Sequence, residues 1–242
     1  MKTYMLCCCI LLTGAHSMAQ VSNSQYMPNN YAGRSAINFA DPSLVSWKAA
    51  NAFDYTDING NPYWKDEWNA ALLILKNDAV VKIPQAKFNI FVNGLFYMNE
   101  QSAVLVADVR VVKRFVFLDK GDTSKAAAVF QNVPALNDKN DTTYYQVLNP
   151  GNIALLKWTK YEVKSDYDAL KGRNENSFVA EIKYFLLHNG AVSLLKSLNE
   201  RNIFAVINPT QDAASWLQKN NNKLKNENDI TSFLNYYNTQ NK

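Results

Sequence analysis

Residues 70–121 are cut into short apolar runs by turn formers at close intervals, and that spacing points the chain to an antiparallel β-meander. Residues 72–76 and 79–83 flank Asn77 and Asp78. Residues 88–92 and 95–98 flank Asn93 and Gly94, a pair whose turn twist matches that of two strands. Pro84 lacks the N–H that a central ladder position needs, so it marks an edge or a bend. Residues 103–108 and 109–118 continue the meander. Lys113 and Arg114 interrupt the last apolar run, which predicts a partly solvated face; with Arg110 they also form a candidate basic patch.

A second block repeats the pattern. Residues 126–133 fit strand or helix, and a nearby hairpin partner favours strand. Residues 144–148 and 153–163 flank Pro150 and Gly151, the signature of a type II turn. Tyr144, Tyr145, Trp158 and Tyr161 in these strands fit cross-strand packing, or a wall on which a sugar or apolar ligand stacks. Residues 166–177 read as a polar loop, 178–187 as a strand, 188–190 as a turn and 191–195 as its partner.

From Asn199 the apolar period becomes helical. Asn199 caps residues 200–206, and Asn208 before Pro209 closes them. Thr210 caps residues 211–220. Asn226 or Asn228 starts the last helix, in which Ile230, Phe233, Leu234 and Tyr237 recur at steps of three and four. Near the other end, Asp41 and Pro42 read as the start of a short helix within residues 44–53.

The predicted fold is therefore α+β, mainly β: an antiparallel meander sheet of several hairpins with a C-terminal segment of about three short helices on one face or edge. Residues 41–242 are expected to be one domain, because no linker separates the meander from the helices. Residues 20–40, polar and rich in Asn and Ser, read as a flexible leader.

Residues 1–19 read as an export signal. Lys2 supplies the positive start, residues 4–12 the apolar core, and Ser17 and Ala19 the small residues before a cut after Ala19. The run is too short to span a bilayer, so the mature chain carries no predicted transmembrane segment and is expected in the periplasm or outside the cell. All three cysteines, Cys7, Cys8 and Cys9, lie inside this signal. Lipidation there is disfavoured, because Tyr4, Met5 and Leu6 are not the small residues that precede such a site. The mature chain is then cysteine-free, with no disulfide and no thiolate chemistry. Of the two histidines, His16 leaves as well, and His188 stands beside a tight turn without a local catalytic partner. A net charge of +4, one less after loss of Lys2, is too mild to argue for nucleic acid. Gly-rich phosphate loops, nucleophile elbows and His-based metal motifs are missing.

Residues 54–68 form a loop dense in aromatics and turn formers. Aligned as a calcium loop around Asn59 and Gly60, it places Tyr55 where a carboxylate is required, and Pro62 breaks the following segment. The loop instead predicts a turn with Asn59 and Gly60 at positive φ. Its side chains make the candidate ligand or surface site: Asp54, Asp57, Tyr63, Trp64, Asp66 and Glu67. The four acids among them are the place to seek a glycosidase-like carboxylate pair, which needs neither His nor Cys. No cofactor and no metal are predicted. Asn140, Asp141 and Thr142 match a glycosylation triplet.

Asn61 to Trp64, the paired hairpins and the tail 230–238 together resemble uncharacterised secreted proteins of Bacteroidota-type bacteria, over most of the mature chain. The resemblance implies export and the fold, and brings no activity, cofactor or catalytic residue. The expectation is a non-catalytic exported envelope protein with a binding or structural role toward an envelope protein or small ligand. The alternative is a hydrolase using a carboxylate pair.

Overall fold

A computed structural model describes residues 46–49 (backbone only), 55–134, 136 and 143–240. The predicted signal with Cys7–Cys9, the leader, Asp41, Pro42, Asp54 and the Asn140 triplet lie outside the described residues. Within them the chain is mainly β, with one 12-stranded sheet and three C-terminal helices.

The meander is present. Strands β3 (Asn69–Leu75), β4 (Val80–Asn89), β5 (Gly94–Met98) and β6 (Val104–Ala107) follow one another antiparallel. Strand β7 (Val112–Leu118) returns to the free side of β3, and β8 (Ala126–Asn132) and β9 (Tyr144–Val147) extend the sheet. The alternation of β3 explains why its sequence reads as one apolar run. Ala71, Leu73 and Leu75 enter the main core, while Leu72 and Ile74 enter a smaller cluster with Val116 and Leu118. A strand buried on both faces has no polar side to show. Opposite β3, Pro84 and Gln85 bulge against the single residue Ala70, as a residue without an N–H requires.

Several expectations are corrected. The short helix within 44–53 is instead a strand, β1 (Ser46–Ala49), paired with β6 at the sheet's edge. Helix formation has a costly nucleus, and a strand edge offers the same backbone its hydrogen bonds directly. The polar loop at 166–177 is the distal part of a hairpin whose strands, β10 (Ile153–Asp168) and β11 (Arg173–His188), pair along their whole length. Both faces of this arm's outer part meet solvent, so no apolar alternation marks it in the sequence. Arg114 is buried, at 4% exposure, rather than solvated. Asn59 lies in a strand, β2 (Ile58–Asn59), and only Gly60 of that pair takes a positive φ. Strand β4 ends at Asn89, before the expected Val92, because Pro62 O accepts from the N–H of Ile90 at 2.8 Å and diverts the chain.

The helices form where their caps predicted. Helix α1 (Glu200–Ile207) starts with Asn199 Oδ1 accepting from Asn202 N at 2.9 Å. Helix α2 (Gln211–Lys219) starts with Thr210, and α3 (Glu227–Gln240) with Asn226 Oδ1 accepting from Asp229 N at 2.8 Å. Their apolar sides, including Ile203, Leu217, Ile230 and Phe233, pack on Ile153, Leu155, Leu186 and Leu195 of β10, β11 and β12 (Ala191–Leu195). The helices thus cover one face at the far end of the sheet rather than its edge.

Candidate functional site

Strand order places five strands between β4 and β11, yet the two meet. The Phe91 ring, just past β4, lies 5.2 Å from Phe178 of β11. The sheet curls, and residues 55–64 act as a strap between its limbs. At one end β2 pairs parallel with β11, Ile58 beside Asn176 and Asn59 beside Ser177. Asn59 Nδ2 also donates to Glu175 Oε2 at 3.0 Å. At the other end Trp64 N donates to Phe88 O at 2.9 Å, and Tyr63 bridges Asn89.

Tyr55 fills the corner between the limbs, 6.1 Å from Phe91 and 5.6 Å from Phe178. Its hydroxyl accepts from Nδ2 of the fully buried Asn89 at 2.9 Å. Burial pushes the Tyr55 phenol pKa up, against the opposing effect of that hydrogen bond.

Inside the curl is a cavity of about 230 Å³. Its floor is aromatic and apolar: Trp64, Phe88, Ile90, Phe130 and Tyr144. The rings support one another, Trp64 stacked on Phe117 at 5.1 Å and Phe130 on Phe115 at 5.0 Å. Such pairs contribute about 0.5–1.5 kcal/mol each beyond area burial. The facing wall is polar, with Gln146 from β9 and Lys157, Thr159 and Tyr161 from β10; Ala180 and Ile182 of β11 complete it.

Strand register explains this division. One row runs across the sheet through Leu73, Phe115, Phe130, Gln146, Lys157, Tyr184 and Leu195. Its ends belong to two separate cores, the aromatic one and the one under the helices. Gln146 and Lys157 are the polar divide between them.

The divide is held by α3. Lys157 Nζ donates to Glu227 Oε1 at 2.8 Å, and the Tyr184 hydroxyl donates to the same oxygen at 2.5 Å. Burial raises the Glu227 pKa, but the bonds from Lys157 and Tyr184 and the lysine charge outweigh it, and the net shift is down. Burial and the bond to Glu227 push the Tyr184 phenol well up. Tyr144 donates its hydroxyl to Val112 O at 2.9 Å. Gln146, Thr159 and Tyr161 make no side-chain hydrogen bond among the described residues.

The loop residues singled out from sequence go to different places. Trp64 reaches the cavity, with the Lys65 ammonium 4.7 Å over its ring. Tyr63 sits on the strap with Lys87 Nζ 4.0 Å over its ring. Asp66 pairs with that same Lys87, whereas Glu67 pairs with Lys120 at 2.6 Å. The hydrogen bond from Lys120 holds the Glu67 carboxyl below its ordinary pKa. Asp57 is exposed beside β2, and Asp54 is outside the described residues. Asp57, Asp66 and Glu67 are not among the side chains that line the cavity.

The aromatic set of the second hairpin block splits by strand alternation. Tyr144 and Tyr161 face the cavity, while Tyr145 and Trp158 join the cluster on the opposite face. The cavity's other residues, Gln146, Lys157, Thr159, Ala180 and Ile182, carried only one signal in sequence, their alternation along strands. The basic trio does not act as a patch: Arg110 pairs with Asp108, Lys113 with Asp78, and Arg114 is buried. His188, beside the tight turn, is half-buried at the end of β11, with Nδ1 3.4 Å from Val206 O.

Among the described residues no group of three or more His, Cys, Asp or Glu is placed to hold a metal ion. No helix among them is long and apolar enough to cross a membrane. Comparison with protein-family models, curated proteins and solved structures finds no match to this chain.

Proposed function

We propose that the protein is exported, is cut after Ala19, and binds a small ligand in the cavity under the strap without transforming it. The observation that carries this reading is the cavity itself: an aromatic floor facing a wall with one amide, one ammonium and two hydroxyls. Binding pockets combine apolar lining with a few polar groups in this way. At about 230 Å³ it is smaller than the ~300–1,000 Å³ of pockets for drug-sized molecules, so the ligand is of single-ring size. Export is supported by the three-part pattern of Lys2, residues 4–12 and Ser17 to Ala19.

The carboxylate-pair reading draws less support, because Asp66 and Glu67 are each taken by a separate lysine. The test is an NMR screen of the mature chain against single-ring fragments, repeated with Thr159→Trp, which fills the cavity. The expected result is a set of bound fragments that the variant loses while keeping its β-rich circular dichroism. Absence of bound fragments, or fragments that the filled cavity does not displace, overturns the reading. Intact mass of the exported protein tests the cleavage, with Gln20 expected as the first residue.

A further inference from the structure

We infer that the ligand is an aryl carboxylate, a flat ring that enters over Phe88 and Phe130 with its carboxylate on Gln146, Lys157 and Thr159. This rests on the cavity being a ligand site. Size sets the ring: an apolar cavity of about 150 Å³ holds benzene, so ~230 Å³ holds one ring with a short substituent.

The polar wall sets the substituent. Gln146 and Lys157 are directly opposed across β9 and β10, which puts their Cβ atoms roughly 4.5–5.5 Å apart. Thr159 is the next residue of β10 on the same side, about 7 Å further along the strand. Three donors therefore line one short stretch of wall, suited to a head with two acceptor oxygens. Lys157 is the one charged side chain among the described lining residues, and the wall carries no carboxylate. Its ammonium has three N–H donors, of which Glu227 takes one, and that bond fixes its position. Among the described residues the half-buried Gln146 amide and Thr159 hydroxyl have no protein hydrogen-bond partner. A ligand that covers them takes away their water, so an acceptor-rich head satisfies them where a purely apolar ligand leaves them unpaired.

Calorimetric titration of the mature chain with benzoate and with benzyl alcohol, a neutral ring of the same size, tests this. Benzoate is expected to bind about tenfold tighter or more, the scale of one added charge-assisted hydrogen bond. Lys157→Met combined with Glu227→Gln, which leaves no orphaned charge, is expected to erase that preference. Gln146→Leu, which keeps the ion pair and the helix anchor, is expected to weaken benzoate by about tenfold. Equal or tighter binding of benzyl alcohol overturns the carboxylate while leaving the cavity as a ligand site. So does binding of neither ring by a chain whose cavity takes up other fragments. Benzoate bound equally well by Thr159→Trp lies elsewhere and overturns the inference. A cavity that takes up no ring of any kind overturns the ligand-site reading with it.

Discussion

Asn238, in the last helix, wraps its carboxamide around the turn that holds Gly151. Its Oδ1 accepts from Ile153 N at 3.0 Å, and its Nδ2 donates to Pro150 O at 3.1 Å and Ile153 O at 2.9 Å. A Cβ on Gly151 would stand 2.2 Å from that Nδ2, and the residue's φ is +131°, where side chains are strained. Gly151→Ala is therefore expected to cost about 1–3 kcal/mol, from backbone strain and from loss of the Asn238 bonds. Asn238→Ala relieves the clash, so the double variant should cost less than the sum of the two. Urea denaturation of all three chains measures this.

Leucines on the same hairpin separate structure from surface. Leu186 is fully buried between β10 and the helices, and Leu186→Ala should cost about 2–5 kcal/mol. Leu170, at the arm's tip, is 99% exposed, and Leu170→Ser should stay within about 0.5 kcal/mol. The same denaturation curves decide both. A large effect at Leu170 would mean that the tip is covered in solution.

Glu227 gives the helical end a pH dependence. Its folded pKa lies below the ordinary 4.5, so the unfolded chain takes up its proton first as pH falls. The stability it contributes is fully present above pH 4.5 and is lost as pH falls through the lower folded value. Glu227→Gln should flatten that part of a stability profile taken from neutral pH into the acid range. A profile of unchanged slope would show that Lys157 and Tyr184 do not hold the carboxylate in solution.

Tyr55 and Asn89 lock the strap. Tyr55→Ala removes the ring between Phe91 and Phe178 and takes the hydroxyl acceptor from Nδ2 of the buried Asn89, at an expected cost of about 2–4 kcal/mol. Amide exchange at Asn176 and Ser177, where β2 docks, should rise in this variant, while the β3 to β7 core stays protected. Hydrogen exchange with mass detection reads both regions at once.

The hairpins and helix caps were legible because their causes are local. Asn199, Thr210 and Asn226 act on backbone N–H groups three residues away, and turn formers such as Asp78 and Asn93 set φ where they stand. The strand at Ser46–Ala49 was not legible, because its partner Leu105 to Ala107 lies far along the chain. The outer arm was hidden for another reason: its strands hold each other by backbone bonds while their side chains face water. Trp64 was found as part of an aromatic loop. Gln146, Lys157 and Thr159 have only strand alternation to mark them, and it is the curl of the sheet that makes them the wall of a cavity.

The strap has a consequence for the order in which the molecule comes into being. Asn59 and Glu175, joined across it, are 116 residues apart in sequence. Contacts of that span repay their loop-closure entropy only after the intervening chain is in place. Meander, arm and helices can all precede it. A refolding chain then regains its circular dichroism before its two limbs are strapped together, and docking of β2 on β11, not recovery of secondary structure, marks the end of folding.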